Sequence, residues 1–415
     1  MTAEVVLMNK QAVALAADSA GTIGRKIFNS NNKLFMLSKR HPIGIMVYNS
    51  AEIMGYPWET IIKIYRKKLG KKSFPTLHAQ VEDFLEHLRK SPLFNEQAEK
   101  IYIETAFDSV AVDIWEQIIR YFPEPDEANK ELLALHFERI ISRIKKASEY
   151  NLIECSISDS DKQDILVEYK EFLDGLISKY FEKYGIDQKT RDDICLIMAN
   201  TIFRNPIYMG SSGLVFSGFG ESEVFPTTES FVISSIIKSK IMMSKSLVDS
   251  ISVKNIAIIK PFAQRDMVDS FILGIDTSLD MQIKNQVTNM LGRIPDIVSD
   301  YSQGDKNLLK STLSNVLDKM CKSFLDDMDN YIYDEYMMPI RYGVSNLPPD
   351  ELASMAETLV NLTSFKRKIS ANQRETVGGP TDVAVITKGD GFIWIRRKHY
   401  FDPDKNHHFF KNYFN

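Results

Sequence analysis

Three residues near the start of the chain have side chains whose chemistry could work together. Thr2 follows Met1, and threonine is small enough for methionine aminopeptidases to remove the methionine. Removal would leave a hydroxyl and a free α-amine on one residue, and an amine with a pKa of roughly 7.7–8.0 can accept the hydroxyl proton. Lys33 close to that amine would lower its pKa, and Asp18 would hold the lysine in place. Taken singly, Thr2 also fits an ordinary N-terminus, Asp18 a turn and Lys33 a solvated strand start.

A β-rich segment must position these residues. The stretches "AEVVLM" and "AVALAA" predict two strands joined by the loop Asn9-Lys10-Gln11. Their nearly continuous apolar character indicates a hairpin covered on both faces. Three more short strands are predicted in "GRKIF", "KLFML" and "IGIMV", and a helix across "AEIMGYPWETIIKIYRKKLG".

The rest of the chain alternates between helical and strand patterns. Helical spacing of apolar residues covers 75–202, and a second helical stretch covers roughly 264–337, with breaks at "GRIP" and "SQGDK". Strand patterns return at 207–220, "SFVISSIIKSKIMM" and "NIAIIKPFA". The chain closes with an amphipathic helix from "PPDELASM" and a hairpin in "TDVAVITKGDGFIWIRR". We therefore expect a sheet built from both ends of the chain, with helices inserted between.

Composition narrows the class of protein. The chain has 415 residues, 44% hydrophobic and 26% charged, with a net charge of −4. These values fit a globular protein and give no sign of a basic nucleic-acid surface. No signal segment or membrane span is visible, and three dispersed cysteines fit a reducing compartment, so we expect a cytoplasmic protein without nucleic-acid or membrane partners.

The first segment resembles a proteasome β-type subunit of the N-terminal nucleophile (Ntn) hydrolase superfamily. The resemblance is carried by Thr2, the hairpin "VALAADSAGT" and the lysine-led "KLFML". The spacing from Thr2 to Asp18 matches the family, and Lys33 comes one residue earlier than usual. "IGIMVYNSAEIMG" is similar to the strand that enters the family's first helix, and the helix before "VGGPTDVAVITKGDGFIWI" is similar to its closing elements. The similarity covers roughly residues 2–70, 207–275 and 348–398.

The resemblance implies an α+β fold, a four-layer αββα sandwich with large helical insertions. Its core would comprise residues 1–74, 203–263 and 346–400. Residues 75–202 would be a helical insertion, 264–345 a core helix with a second insertion, and 401–415 a tail. Thr2 would be the nucleophile, tuned by Lys33 and Asp18, and a backbone N–H at Tyr48 or Asn49 would stabilise the oxyanion.

The sequence departs from the family pattern at several supporting positions. The family has glycine where Tyr48 or Asn49 falls. It places an aspartate and a serine before the Gly-Gly pair, where this chain has Arg374 and Val377, with Glu375 and Thr376 adjacent. The serine of the middle strand's turn corresponds to Ser217 or, equally, to Phe219. Ser217, Glu375 and Thr376 are therefore candidate supporting residues.

Other chemical signals predict no separate site. "SGFGESE" lacks the spacing of a phosphate-binding loop and fits a tight turn. His407 and His408 have no acidic or cysteine partner and fit a surface tail, and "RRKHYF" fits a solvated strand edge. The aromatic tail "NHHFFKNYFN" is expected to pack on a neighbouring element or another subunit. We expect no metal and no cofactor.

Two functions follow as hypotheses. The first is a proteasome-like threonine hydrolase, an N-terminal threonine amidohydrolase or peptidase that cleaves peptide, protein or other amide substrates. The resemblance allows for a homo-oligomer or ring and for an ATPase partner. The second is a catalytically inactive scaffold or interaction subunit on the same fold, favoured by the replaced supporting residues near Gly378.

Overall fold

A computed structural model describes residues 2–23, 26–120, 130–148, 157–204, 210–301, 304–370 and 377–414. Its strands are β1 (Ala3–Met8), β2 (Ala12–Ala17), β3 (Gly21–Ile23), β4 (Lys26–Phe28), β5 (Leu34–Met36), β6 (Ile43–Asn49), β7 (Glu52–Ile53), β8 (Tyr56–Pro57), β9 (Ser212–Gly218), β10 (Thr227–Ile237), β11 (Lys240–Met243), β12 (Leu247–Ser250), β13 (Ile258–Ala263), β14 (Asp382–Thr387) and β15 (Gly391–Arg396). Its α-helices are α1 (Trp58–Leu69), α2 (Leu77–Arg89), α3 (Glu96–Ile119), α4 (Lys130–Ser148), α5 (Asp159–Glu168), α6 (Lys170–Phe181), α7 (Gln188–Arg204), α8 (Asp266–Leu273), α9 (Thr277–Tyr301), α10 (Lys306–Ile332), α11 (Met338–Ser345), α12 (Pro349–Ile369) and α13 (His407–Phe414).

The chain divides into two compact units, each a mixed α/β structure. Unit 1 comprises residues 1–34, 224–226 and 250–415, and unit 2 comprises residues 35–223 and 227–249. Both ends of the chain therefore belong to unit 1. Within the described ranges, none of the helices combines the length and the hydropathy that crossing a lipid bilayer requires.

Unit 1 is organised around an antiparallel sheet with the strand order β13-β1-β2-β14-β15. Helix α12 packs on β1, β2 and β14. The strand residues that meet it are mainly alanine and valine, which let the helix approach the sheet closely; they include Ala3, Val5, Ala12, Ala14, Ala16, Val383 and Val385. All residues of β1 and β2 are buried, which confirms the expectation of a hairpin covered on both faces.

Asn9 fixes the turn of the first hairpin. Its side-chain oxygen accepts hydrogen bonds from the N–H groups of Gln11 (2.9 Å) and Ala12 (3.1 Å). Its amide donates to the carbonyls of Val344 and Leu347. Because this buried side chain satisfies both the turn and the end of α11, it ties the hairpin to a helix more than 300 residues later in the chain.

Unit 2 contains a sheet with the order β11-β10-β9-β6-β5 and two hydrophobic clusters. Helices α1 and α2 pack in one cluster with residues of β6, β9 and β10. Helices α3 to α7 contribute to a second cluster that also includes Ile237 and Met242. The helices within 75–202 therefore divide between the two clusters: α2 packs with the sheet residues, and α3 to α7 form the second cluster with Ile237 of β10 and Met242 of β11.

The structure corrects two sequence expectations about helix ends. The helix predicted across 51–70 begins only at Trp58, because Met54 and Gly55 adopt positive φ and form the turn of the small β7–β8 hairpin. The break predicted at "GRIP" is absent, and α9 runs through Pro295 to Tyr301. Pro295 removes one helical hydrogen bond, which neighbouring turns of this long helix outweigh.

The aromatic tail packs on the segment just before it. Phe409 and Phe410 of α13 contact the rings of His399 and Phe401 at centroid distances between 4.8 and 6.4 Å. This contact with a neighbouring element is one of the two arrangements that we expected for the tail.

Candidate active site

The carboxylate of Asp18 is the centre of a fully buried polar cluster in unit 1. Asp18 follows β2 and has no solvent exposure. Its Oδ1 accepts from the Ala3 N–H at 3.0 Å, and its Oδ2 accepts from the N–H groups of Ala20 at 3.2 Å and Gly378 at 3.0 Å. Three backbone donors therefore hold this carboxylate in one orientation, as a buried anion requires.

Lys33 completes the cluster. Its Nζ donates to Asp18 Oδ1 at 2.6 Å, and the lysine is 7% exposed. The same oxygen accepts the N–H of Ala3, the residue directly after Thr2. One carboxylate oxygen thus links the lysine ammonium to the peptide that joins Thr2 to β1, so the structure brings the three predicted residues together.

Thr2 is anchored by its backbone just before the first residue of β1, an interior strand of the sheet. Its carbonyl accepts the N–H of Gln264 at 3.0 Å, next to the β1–β13 pairing. Side chains alternate along an extended strand, so Thr2 and Glu4 lie on the sheet face opposite Ala3 and helix α12. Thr2 is 3% exposed in the chain that retains Met1.

Glu4 is a member of this neighbourhood that the sequence reasoning missed. It is fully buried, and neither carboxyl oxygen has a hydrogen-bond partner among the described residues. Burial raises the pKa of Glu4 well above its ordinary value of 4.5; Lys33 opposes this shift and Asp18 adds to it. A single acidic residue in the apolar strand "AEVVLM" was the available signal.

A second buried ion pair lies one strand away. Asp382 begins β14 opposite Ala17, and it accepts from both the backbone N–H (2.8 Å) and the Nζ of Lys398. Burial lowers the pKa of Lys398, although Asp382 opposes that shift. The sequence expectation of a solvated strand edge over 396–401 is therefore wrong for Lys398, whose side chain is buried against an acidic partner.

The remaining predicted residues lie elsewhere. Tyr48 and Asn49 end β6, and Ser217 lies in β9, all in unit 2. Asn49 has φ of 66°, a left-handed conformation that glycine or asparagine adopts most readily. The Ser217 hydroxyl is hydrogen-bonded to Thr228 at 2.7 Å.

The two remaining predicted supporting residues, Glu375 and Thr376, lie outside the described residues.

In the parts of the chain that the structure describes, no three His, Cys, Asp or Glu side chains converge as a metal site would need.

Comparisons with known proteins add little to this geometry. No family model matches the chain, and no curated protein matches it. Among solved structures, the chain is similar to an Anbu (Gly-1) mutant from Hyphomicrobium sp. strain MC1, with 9% sequence identity and a TM-score of 0.28 over 100% of this chain and 93% of that one.

Proposed function

We propose that this chain is a proteasome-like N-terminal threonine hydrolase that cleaves peptide or other amide bonds, with Thr2 as the nucleophile once Met1 has been removed. The proposal includes the αββα sandwich expected from the resemblance and the oxyanion donor at Tyr48 or Asn49. The resemblance also extends it to a homo-oligomeric or ring assembly, an ATPase partner and a cytoplasmic location.

The reaction needs few groups. The free α-amine of Thr2 takes the proton of its own hydroxyl, and Oγ1 attacks the substrate carbonyl to form a tetrahedral intermediate. Collapse of the intermediate breaks the C–N bond, the leaving amine takes the proton held by the α-amine, and an ester on Thr2 remains. Water, deprotonated by the same amine, then hydrolyses that ester. The positive charge of Lys33 would favour the neutral amine and the alkoxide throughout.

The observation that carries the proposal is the shared oxygen of Asp18. It accepts from Lys33 Nζ and from the N–H of Ala3, so a fixed cation lies close to the peptide of the candidate nucleophile. Two further backbone N–H groups, of Ala20 and Gly378, donate to the other oxygen of that buried carboxylate. Asn49 gives further support, because its left-handed backbone is one that glycine adopts readily, and the family resemblance places a glycine at Tyr48 or Asn49.

The test combines intact mass with activity. Protein expressed in a bacterial cytoplasm should lack Met1, and a panel of fluorogenic peptide amides should reveal hydrolysis. Thr2→Ala should reduce kcat/KM by roughly 1,000-fold or more, and Thr2→Ser, which keeps a hydroxyl and an α-amine, should retain measurable activity. Retained Met1, or equal activity in wild type and Thr2→Ala, would contradict the proposal.

The scaffold hypothesis is the second candidate, and a specific observation favours it. Thr2 is only 3% exposed in the chain that retains Met1, and the adjacent Glu4 carboxyl is buried without a hydrogen-bond partner. A nucleophile must be reached by its substrate, whereas a structural residue need not be. Absence of labelling by a threonine-directed covalent inhibitor, in a protein whose mass shows that Met1 is gone, would favour the scaffold.

A further inference from the structure

The α9–α10 hairpin contains little buried surface for its size. In the 25 residues of α9 only Pro295 and Ser299 are buried, and in the 27 residues of α10 only Cys321 is buried. Helices of this length in a globular domain normally bury a continuous apolar stripe. The hairpin therefore lacks part of the packing that such helices require.

The two helices run antiparallel and meet along a seam. Lys284 pairs with Asp329 at 2.6 Å, Thr288 lies 3.6 Å from Cys321, and Lys310 pairs with Asp296. Two of these contacts are ion pairs, so Lys284, Asp329, Lys310 and Asp296 are paired within the hairpin.

A second apolar stripe on each helix faces away from the seam. On α9 it recurs every seven residues, at Ile283, Met290 and Ile297, which places these side chains on one face. On α10 it follows the four-residue spacing of Val316, Met320 and Phe324. We call this set, together with Tyr301 and Tyr331, the hairpin face. Apart from the half-buried Ile283, its members are between 47% and 86% exposed.

Both stripes lie on the same side of the hairpin. At about 100° per residue, the α10 stripe lies about a quarter-turn from Cys321, and the α9 stripe lies about a third of a turn or more from Lys284 and Thr288, in the same rotational sense along its own helix. Because the helices are antiparallel, rotations of the same sense bring the two stripes toward one side. The hairpin face is therefore a single surface composed of two helices.

We infer that the hairpin face is a self-association surface, on which a second copy of this chain docks its own hairpin face to form a four-helix bundle. A two-helix hairpin cannot cover its own stripes, whereas two hairpins packed face to face can. The face is mainly apolar; besides the two tyrosines, Asp327 lies on the same side of α10, seven residues after Met320. An identical face offers a matching apolar area and can pack against it about a two-fold axis.

The available area is sufficient for a stable dimer. The exposed side chains of the hairpin face amount to roughly 800 Å² per copy, which is about what each partner contributes to a standard protein–protein interface. The Lys284–Asp329 and Lys310–Asp296 pairs would remain paired within each copy. This inference does not depend on the proposed hydrolase function.

Sedimentation velocity on the full chain tests this inference, from about 1 µM to about 100 µM. Wild type should sediment as a dimer at the upper end of that range. Met290→Glu combined with Met320→Glu should weaken dimerisation by roughly 100-fold or more, because each dimer would bury four unpaired carboxylates. The matched control is Asn285→Glu with Ser311→Glu, which adds the same charge to exposed positions on the opposite side of the hairpin.

Each result of this experiment either supports or contradicts self-association through the hairpin face. A dimeric control and a monomeric face variant, with equal helical circular dichroism, would support the inference. If the face variant loses helicity, the milder Met320→Ser variant should weaken dimerisation without unfolding. A wild-type protein that is monomeric over the whole range, or a face variant that dimerises like the control, would overturn it.

Discussion

The end of the unit 1 sheet buries charged groups, whereas the α9–α10 hairpin exposes large apolar side chains. At the sheet end, a charged carboxylate is withdrawn from water and every oxygen of Asp18 is given donors. On the hairpin, large apolar side chains such as Met290 and Phe324 stay in water without cover. Both arrangements cost free energy in an isolated chain, and the two proposals account for that cost by a preorganised site in the first region and an intermolecular surface in the second.

The largest effect on stability should follow from removing the charge at the sheet end. Asp18→Asn would remove the hydrogen-bonded counter-ion of the buried Lys33 ammonium, so the free energy of unfolding should fall by about 3–5 kcal/mol. Chemical denaturation measures this. The control Asp390→Asn makes the same chemical change in an exposed turn and should cost less than about 0.5 kcal/mol.

Substitution of Lys33, which pairs with Asp18, tests the same interaction. Lys33→Met combined with Asp18→Asn should recover part of the loss, since the uncompensated cation is then gone. If the double variant is as unstable as the sum of the two single variants, the two side chains do not interact as described.

The contact between β2 and α12 and the hairpin face should also differ in how much added side-chain volume they tolerate. Ala14→Leu inserts bulk between β2 and α12, where strand and helix are in close contact, and should destabilise the protein by about 1–3 kcal/mol. Val316→Leu adds one methylene to the half-exposed hairpin face and should leave the free energy of unfolding within about 0.5 kcal/mol. Thermal unfolding at a concentration where both variants are monomeric would measure this difference. Equal destabilisation by both changes would show that the hairpin face is already packed.

The smallest effect in this series depends on pH. The Glu4 carboxyl is protonated in the folded chain over a range where the unfolded chain has already lost the proton, because burial raises its pKa above 4.5. The folded state then binds more protons, so wild type loses stability as pH rises above about 4.5. Glu4→Gln has no proton to lose and should gain at least about 1 kcal/mol relative to wild type between pH 5 and pH 8. A difference that does not change with pH would mean that Glu4 is ionised in the folded protein.

Local patterns predicted a large part of this fold. The β1–β2 hairpin with its Asn9 loop, the helix α12 and the closing β14–β15 hairpin all follow from residue periodicity and turn chemistry. The spacing of Thr2, Asp18 and Lys33 also indicated residues that the structure places in one cluster.

Contacts between distant segments explain what the sequence could not predict. Glu4 is visible in the sequence as the one acidic residue of an apolar strand. Its carboxyl lacks a hydrogen-bond partner among the described residues because both faces of β1 are buried. The Asp382–Lys398 pair depends on the register of β14 against β2 and on the path of the chain after β15. Pro295 inside α9 shows the same limit, because a local helix-breaking preference was outweighed by the neighbouring turns of a long helix.

The most direct test of the proposed hydrolase is mass spectrometry of the protein after incubation with an electrophile that reacts with an N-terminal threonine. A threonine hydrolase should give a chain without Met1 that gains one adduct, mapped to Thr2, and Thr2→Ala should gain none. A chain that lacks Met1 but remains unmodified, or an adduct that persists in Thr2→Ala, would contradict it.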